Sequence, residues 1–197
     1  MKKKFDDAIQ LYDQCIALDQ HELLVRNNKA ACYIELKQLD KAMQVVEEAI
    51  KVYQESPMEK KNFDNYAKVL ARKGRILELQ DNIDEAVQTY EKSLLENYQP
   101  KISAKVKELK REQIKRQEQA YINPELSEQH RNKGNEHFKN SSFAEAIKEY
   151  EEAVKRNPND VRPHNNLASC FIKLMRYDAA LTEVEKCLNI DENNIKA

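Results

Sequence analysis

One phrase occurs five times in this chain: a polar or acidic lead-in, an alanine, and an aromatic or aliphatic residue four positions later. It stands as FDDAIQLYDQCI, LDKAMQVVEEAI, IDEAVQTYEKSL, FAEAIKEYEEAV and YDAALTEVEKCL. The anchors are Ala8, Ala42, Ala86, Ala146 and Ala180, separated by 34, 44, 60 and 34 positions. Self-similarity on this scale means stacked units, none of which buries its apolar face alone. Four residues after each anchor, Tyr12, Val46, Tyr90, Tyr150 and Val184 fall on one helical face. Three further on, Cys15, Ala49, Ser93, Ala153 and Cys187 are all small. Twelve residues before the later four anchors stand Ala30, Gly74, Gly134 and Ala168. Both glycines of the chain thus share one register position. Glycine inside a helix costs about 0.5–1 kcal/mol relative to alanine, so a closely approaching second helix is the economical reason for it.

A 34-residue step of two helices, A then B, with small residues where they cross, is the tetratricopeptide (TPR) pattern. The fold class predicted is all-α: a TPR α-solenoid of antiparallel helix pairs, in two modules joined by a helical connector. Ala, Glu, Lys, Leu and Gln dominate the composition, and runs of β-type residues between turn clusters are missing. Pro158, twelve residues after Ala146, stands where the motif favours a helix-ending proline. Cys32 and Cys170 lie two residues after the small position of helix A. With Cys15 and Cys187 they are expected to be small, buried packing residues. None pairs as C-x-x-C, which suits neither a zinc site nor a disulfide scaffold.

The first repeat is only a helix B, over about residues 4–19. A second repeat spans about 22–55, and the charged stretch QESPMEKKNFD lengthens the step into a third over about 62–98. A basic helix from Ile102 to about Gln119 follows, with Ile102, Val106, Leu109 and Ile114 as its apolar stripe. It reads as a cap on the third repeat that runs on as a connector. The predicted domains are therefore 1–119, a short connector at 120–126 (AYINPEL), and 127–197. Because both ends interrupt a repeat, the chain is expected to be a piece of a longer array.

Charge and motifs narrow the function classes. With 33 basic and 34 acidic residues, the chain has no net pull toward nucleic acid or an anionic membrane. The basic helix is read as a solvated face with one buried stripe; contact with RNA or lipid is its alternative. No apolar stretch is long enough for a membrane span, and the acidic Asp6-Asp7 interrupts any signal peptide, so a cytosolic location is expected. His21, His130, His137 and His164 form no metal-ligand pair, two isolated glycines make no phosphate loop, and no G-x-S-x-G occurs. Neither catalysis nor a cofactor or metal is expected.

Three repeats, a basic helix, AYINPEL and further repeats together resemble the central TPR modules of the Hsp organising protein family. The resemblance implies a co-chaperone adaptor whose grooves bind the C-terminal EEVD tails of the ninety- and seventy-kilodalton heat-shock chaperones. A dicarboxylate clamp on the A helices would grip the terminal carboxylate and the adjoining Asp side chain. In the first module the clamp pattern falls on Asn28, Lys68 and Arg72, and in the second on Arg131, Asn135, Asn166 and Lys196. The first module lacks the first-repeat pair, and the partner of Lys196 lies past Ala197. Arg75 departs from the family pattern, standing where a smaller polar residue is usual. The resemblance further implies that the first module prefers the ninety-kilodalton chaperone and the second the seventy-kilodalton one. The alternative is a general TPR scaffold with unrelated partners, which has no need of the clamp set.

Overall fold

The computed structural model describes residues 2–192, with no strand among them. The helices are α1 (Lys2–Leu18), α2 (Leu23–Glu35), α3 (Leu39–Glu55), α4 (Phe63–Leu79), α5 (Ile83–Glu96) and α6 (Pro100–Tyr121). They continue as α7 (Pro124–Lys139), α8 (Phe143–Arg156), α9 (Val161–Lys173) and α10 (Tyr177–Ile190). Consecutive helices pair as hairpins α2–α3, α4–α5, α7–α8 and α9–α10, while α1 packs on α2 as a lone helix B. Helices A also touch one another, α2 with α4 and α7 with α9. The chain divides into two compact units, residues 1–114 and 115–197, and the division falls within α6.

Each hairpin crosses where the repeat places its small residues. A methyl group added at Gly74 would lie 2.7–2.9 Å from the Tyr90 ring, and one at Gly134 would lie 2.5–3.0 Å from Tyr150. Where helix A carries alanine instead (Ala30, Ala168), helix B carries valine (Val46, Val184) at the matching position. Glycine faces tyrosine and alanine stands in register with valine, so the larger residue of helix B goes with the smaller residue of helix A. A second crossing lies 26 residues apart in sequence. There the Ser93 hydroxyl donates to the Ala67 carbonyl and the Ser127 hydroxyl to the Ala153 carbonyl, both at 2.7 Å and both buried.

The turns between A and B repeat equally well. Lys37, Asp81, Ser141 and Met175 adopt φ of 59°, 61°, 59° and 57°, each seven residues after the small position of helix A. The amides that follow (Gln38, Asn82, Ser142, Arg176) donate to Tyr33, Leu77, His137 and Phe171 carbonyls at 2.8–2.9 Å. This left-handed closure satisfies carbonyls at the end of helix A.

The stretch QESPMEKKNFD is not a simple charged loop. It adds a turn to each of α3 and α4, joined through a short 3₁₀ turn at Met58–Lys60. Tyr53 stacks on Tyr66 with centroids 3.8 Å apart, and Phe63 meets Tyr53 edge-on at 6.3 Å. In α6, Val106 and Leu109 are buried and Ile102 packs beside them, but Ile114 is 56% exposed. The apolar stripe is therefore shorter than expected. Cys32, Cys170 and Cys187 are buried as predicted, whereas Cys15 is exposed. Ala49 and Ser93, at the same register as Cys15, face a helix A that α1 lacks among the described residues.

In the second unit, AYINPEL is built into the first hairpin. The Arg156 guanidinium lies 3.6 Å over the Tyr121 ring, and Glu152 accepts hydrogen bonds from both Arg156 and the Tyr121 hydroxyl. The Asn123 amide donates to the Arg156 carbonyl at 2.7 Å, while its side chain caps α7 through the Leu126 amide at 3.0 Å. Pro124 then opens α7 with its φ preset for a helix. Two histidines at one register position, His130 and His164, pair with Glu149 at 2.7 Å and Glu183 at 2.6 Å. They serve as links between A and B.

Candidate functional site

The A helices of each unit turn one side toward a groove. In the first unit, Leu24, Asn27 and Asn28 of α2 face Lys68, Ala71, Arg72 and Arg75 of α4, with Tyr90, Gln99 and Ile102 at the border. The enclosed volume is about 500 Å³. The three residues expected here, Asn28, Lys68 and Arg72, are therefore brought to one groove. Lys68 and Arg72 lie one helical turn apart and so point to the same side. Lys68 is exposed and Arg72 half-buried. Burial lowers the pKa of the Arg72 guanidinium from its ordinary value, yet arginine stays charged in any neutral solution.

Both cations rest on amides. Arg72 Nε donates to Asn27 Oδ1 at 3.4 Å, and Lys68 Nζ donates to Asn65 Oδ1 at 3.3 Å. Among the described ion pairs, neither one has a carboxylate within 4 Å. Arg75 differs: it pairs with Glu78 at 2.9 Å, and Glu78 also receives Lys105 at 3.3 Å and the Tyr90 hydroxyl at 3.0 Å. Burial pushes the Glu78 carboxyl up, but these donors outweigh it and hold the carboxyl below its usual range. The departure at Arg75 thus brings its charge to the groove already matched.

In the second unit, Asn135, Phe138, Lys139, Tyr150, Asn166 and Ser169 enclose about 230 Å³. Asn135 Oδ1 accepts from Asn166 Nδ2 at 3.0 Å and from the Tyr150 hydroxyl at 2.8 Å. The two expected amides are thereby joined, and Asn135 keeps its own donors for a ligand. Burial raises the Tyr150 hydroxyl to about 12, so it remains a donor. Arg131, one turn before Asn135, is held by Glu128 through both carboxylate oxygens. Lys196 lies outside the described residues.

Sequence reasoning missed Asn27, Tyr90 and Tyr150 as groove residues. A signal existed for the first: Asn27-Asn28 and Asn165-Asn166 are duplicates, each ending two residues before the small position of helix A. Tyr90 and Tyr150 were read as packing residues, and they are. Their hydroxyls reach past the crossing to the groove side.

In the first groove, cationic and amide donors thus converge from two A helices, the type of donor set that makes charge-assisted hydrogen bonds to carboxylates.

Comparison with known proteins agrees with this architecture. Models described as tetratricopeptide repeat match residues 1–72, 67–99 and 131–188, together well over half of the chain. The chain belongs to the tetratricopeptide repeat family. Within TPR proteins it is similar to stress-induced-phosphoprotein 1 of Caenorhabditis elegans, at 37% identity over 99% of this chain and 60% of that protein. It is also similar to the Hsp70-Hsp90 organizing protein of Triticum aestivum, at 34% identity over 96% of this chain and 33% of that one. Among solved structures, the yeast Sti1 TPR2AB domain in its pHSP90 complex matches with a TM-score of 0.89 and 29% identity. That match covers 98% of this chain and 73% of the other. The resemblance expected from the repeats and AYINPEL is thus found over nearly the whole sequence. The chain spans less than two thirds of the length of these curated relatives.

Proposed function

We propose that this chain is the tail-binding part of a co-chaperone adaptor. Each TPR groove takes the acidic C-terminus of a heat-shock chaperone, one of the ninety-kilodalton class and one of the seventy-kilodalton class. Two tails held on one polypeptide bridge the chaperones for client transfer. The observation that carries this reading is the convergence of Asn28, Lys68 and Arg72 on one groove, with both cations resting on neutral amides. The names of the relatives support it, and so does the pHSP90 complex of the yeast Sti1 domain. The assignment of the ninety-kilodalton tail to the first unit and the seventy-kilodalton tail to the second rests on the family resemblance, and peptide titrations with reversed preferences would overturn it. The role is binding rather than catalysis, with the cytoplasm as the place of work. Among the described residues, no helix is long and apolar enough to cross a membrane.

A hydrogen bond to a charged group contributes about 1.5–3 kcal/mol, and several of them with apolar contacts reach about −8 kcal/mol, or micromolar affinity. Lys68→Ala and Arg72→Ala are expected to weaken binding of an EEVD-ended peptide by roughly tenfold or more each. The loss should be larger at low salt, where charge is least screened. Calorimetry of the purified variants measures this. Unchanged affinity in both would point instead to a scaffold with unrelated partners.

A further inference from the structure

The two grooves differ in what their cations touch before a ligand arrives. In α7, Glu128 takes Arg131 through both carboxylate oxygens, and its Oε2 also receives Arg162 of α9 at 3.2 Å. Asp160 holds the same Arg162 at 2.7 Å. Two carboxylates thus occupy two arginines where α7 meets the start of α9. Among the described hydrogen bonds and ion pairs, Lys68 and Arg72 of the first groove meet Asn65 and Asn27.

The register shows that Glu128 faces the groove side. It stands six residues before the small residue of its A helix, as do Leu24 of α2 and Lys68 of α4. Leu24 and Lys68 both line the groove of the first unit. The repeat that gives α4 a cation at this position gives α7 an anion. Hydrogen bonds from Arg131 hold the Glu128 carboxyl below its usual range, so it is ionised at neutral pH.

Resting on the reading above, we propose that Glu128 is a resident carboxylate that occupies Arg131 in place of the ligand and sets the affinity of the second groove. An incoming C-terminal carboxylate displaces Glu128 from the guanidinium and meets its negative charge while doing so. Both effects weaken binding at the second groove. The partly exposed position of Glu128 suits this role, because a carboxylate 39% exposed is able to swing into water when displaced.

The test uses the full chain, isotope-labelled, titrated with a free-acid peptide ending in EEVD. Side-chain amide signals of Asn135 and Asn166 report the second groove, and that of Asn28 the first. Glu128→Gln is expected to tighten the second groove by about three- to tenfold, in keeping with the modest worth of a partly exposed ion pair, while the first stays unchanged. The reciprocal change, Asn65→Glu, places a carboxylate beside Lys68 and is expected to weaken the first groove by a similar factor. It also completes a capping box with Asn62, so α4 keeps its start. Weaker binding by Glu128→Gln would make Glu128 a positioning partner of Arg131 and overturn the proposal, and an unchanged second groove would overturn it too. If the peptide moves neither set of amides in any variant, the tail-binding reading itself fails and this inference falls with it.

Discussion

At the scale of residues, the crossing of helix A with helix B decides what each repeat tolerates. Tyr90 is 2% exposed, and its ring leaves room for no more than hydrogen at Gly74. Gly74→Ala gains helix propensity but overpacks this crossing, which typically costs about 1–3 kcal/mol. A lower thermal midpoint is expected, while the pair Gly74→Ala with Tyr90→Val, which copies Ala30 and Val46, should lose less than the two single losses added. Thermal melts of the four proteins provide the double-mutant cycle; simple additivity would contradict the pairing. This crossing was legible in sequence because volume is periodic there. Cys15 was misread because burial depends on a neighbour as well as a register. Asn27 was missed because its amide orients Arg72 from 45 residues away, a contact that no local pattern encodes.

The helices themselves were legible where periodicity, caps and turns agreed. The stripe of α6 was overextended because Ile114 has the right spacing but is not covered. The step of QESPMEKKNFD was read as a charged insertion, since aromatics scattered among charges carry no period; only folding brings Tyr53, Phe63 and Tyr66 together. Glu78 joins three elements at once, holding Arg75 of α4, Tyr90 of α5 and Lys105 of α6. Asp160 does similar work before α9: burial pushes it up, and hydrogen bonds from Arg162 bring it below its usual range. A carboxyl whose folded pKa is depressed adds stability that is full above its unfolded value, about 4. That stability is lost as pH falls through the folded value. The thermal midpoint is therefore expected to be flat near neutrality and to drop as pH goes below about 4. Glu78→Gln should lower the neutral midpoint and flatten part of this drop, whereas an acid limb of unchanged depth would show that Glu78 contributes nothing to it.

For the molecule as a whole, each unit holds a groove lined by A helices. The proposed clamp rests on resemblance; by themselves Lys68 and Arg72 look like surface charges in a chain that is 34% charged. What sequence did not carry is the state of each cation, amide-supported in the first unit and carboxylate-held in the second. Calorimetric titration of the full chain with one EEVD-ended peptide, as free acid and as C-terminal amide, reaches the central claim most directly. Amidation removes the terminal carboxylate, one of the two negative groups the clamp is proposed to grip, and leaves every side chain of the peptide in place. The free acid is expected to bind at micromolar strength and the amide at least about tenfold more weakly; equal affinity for the two would contradict the account.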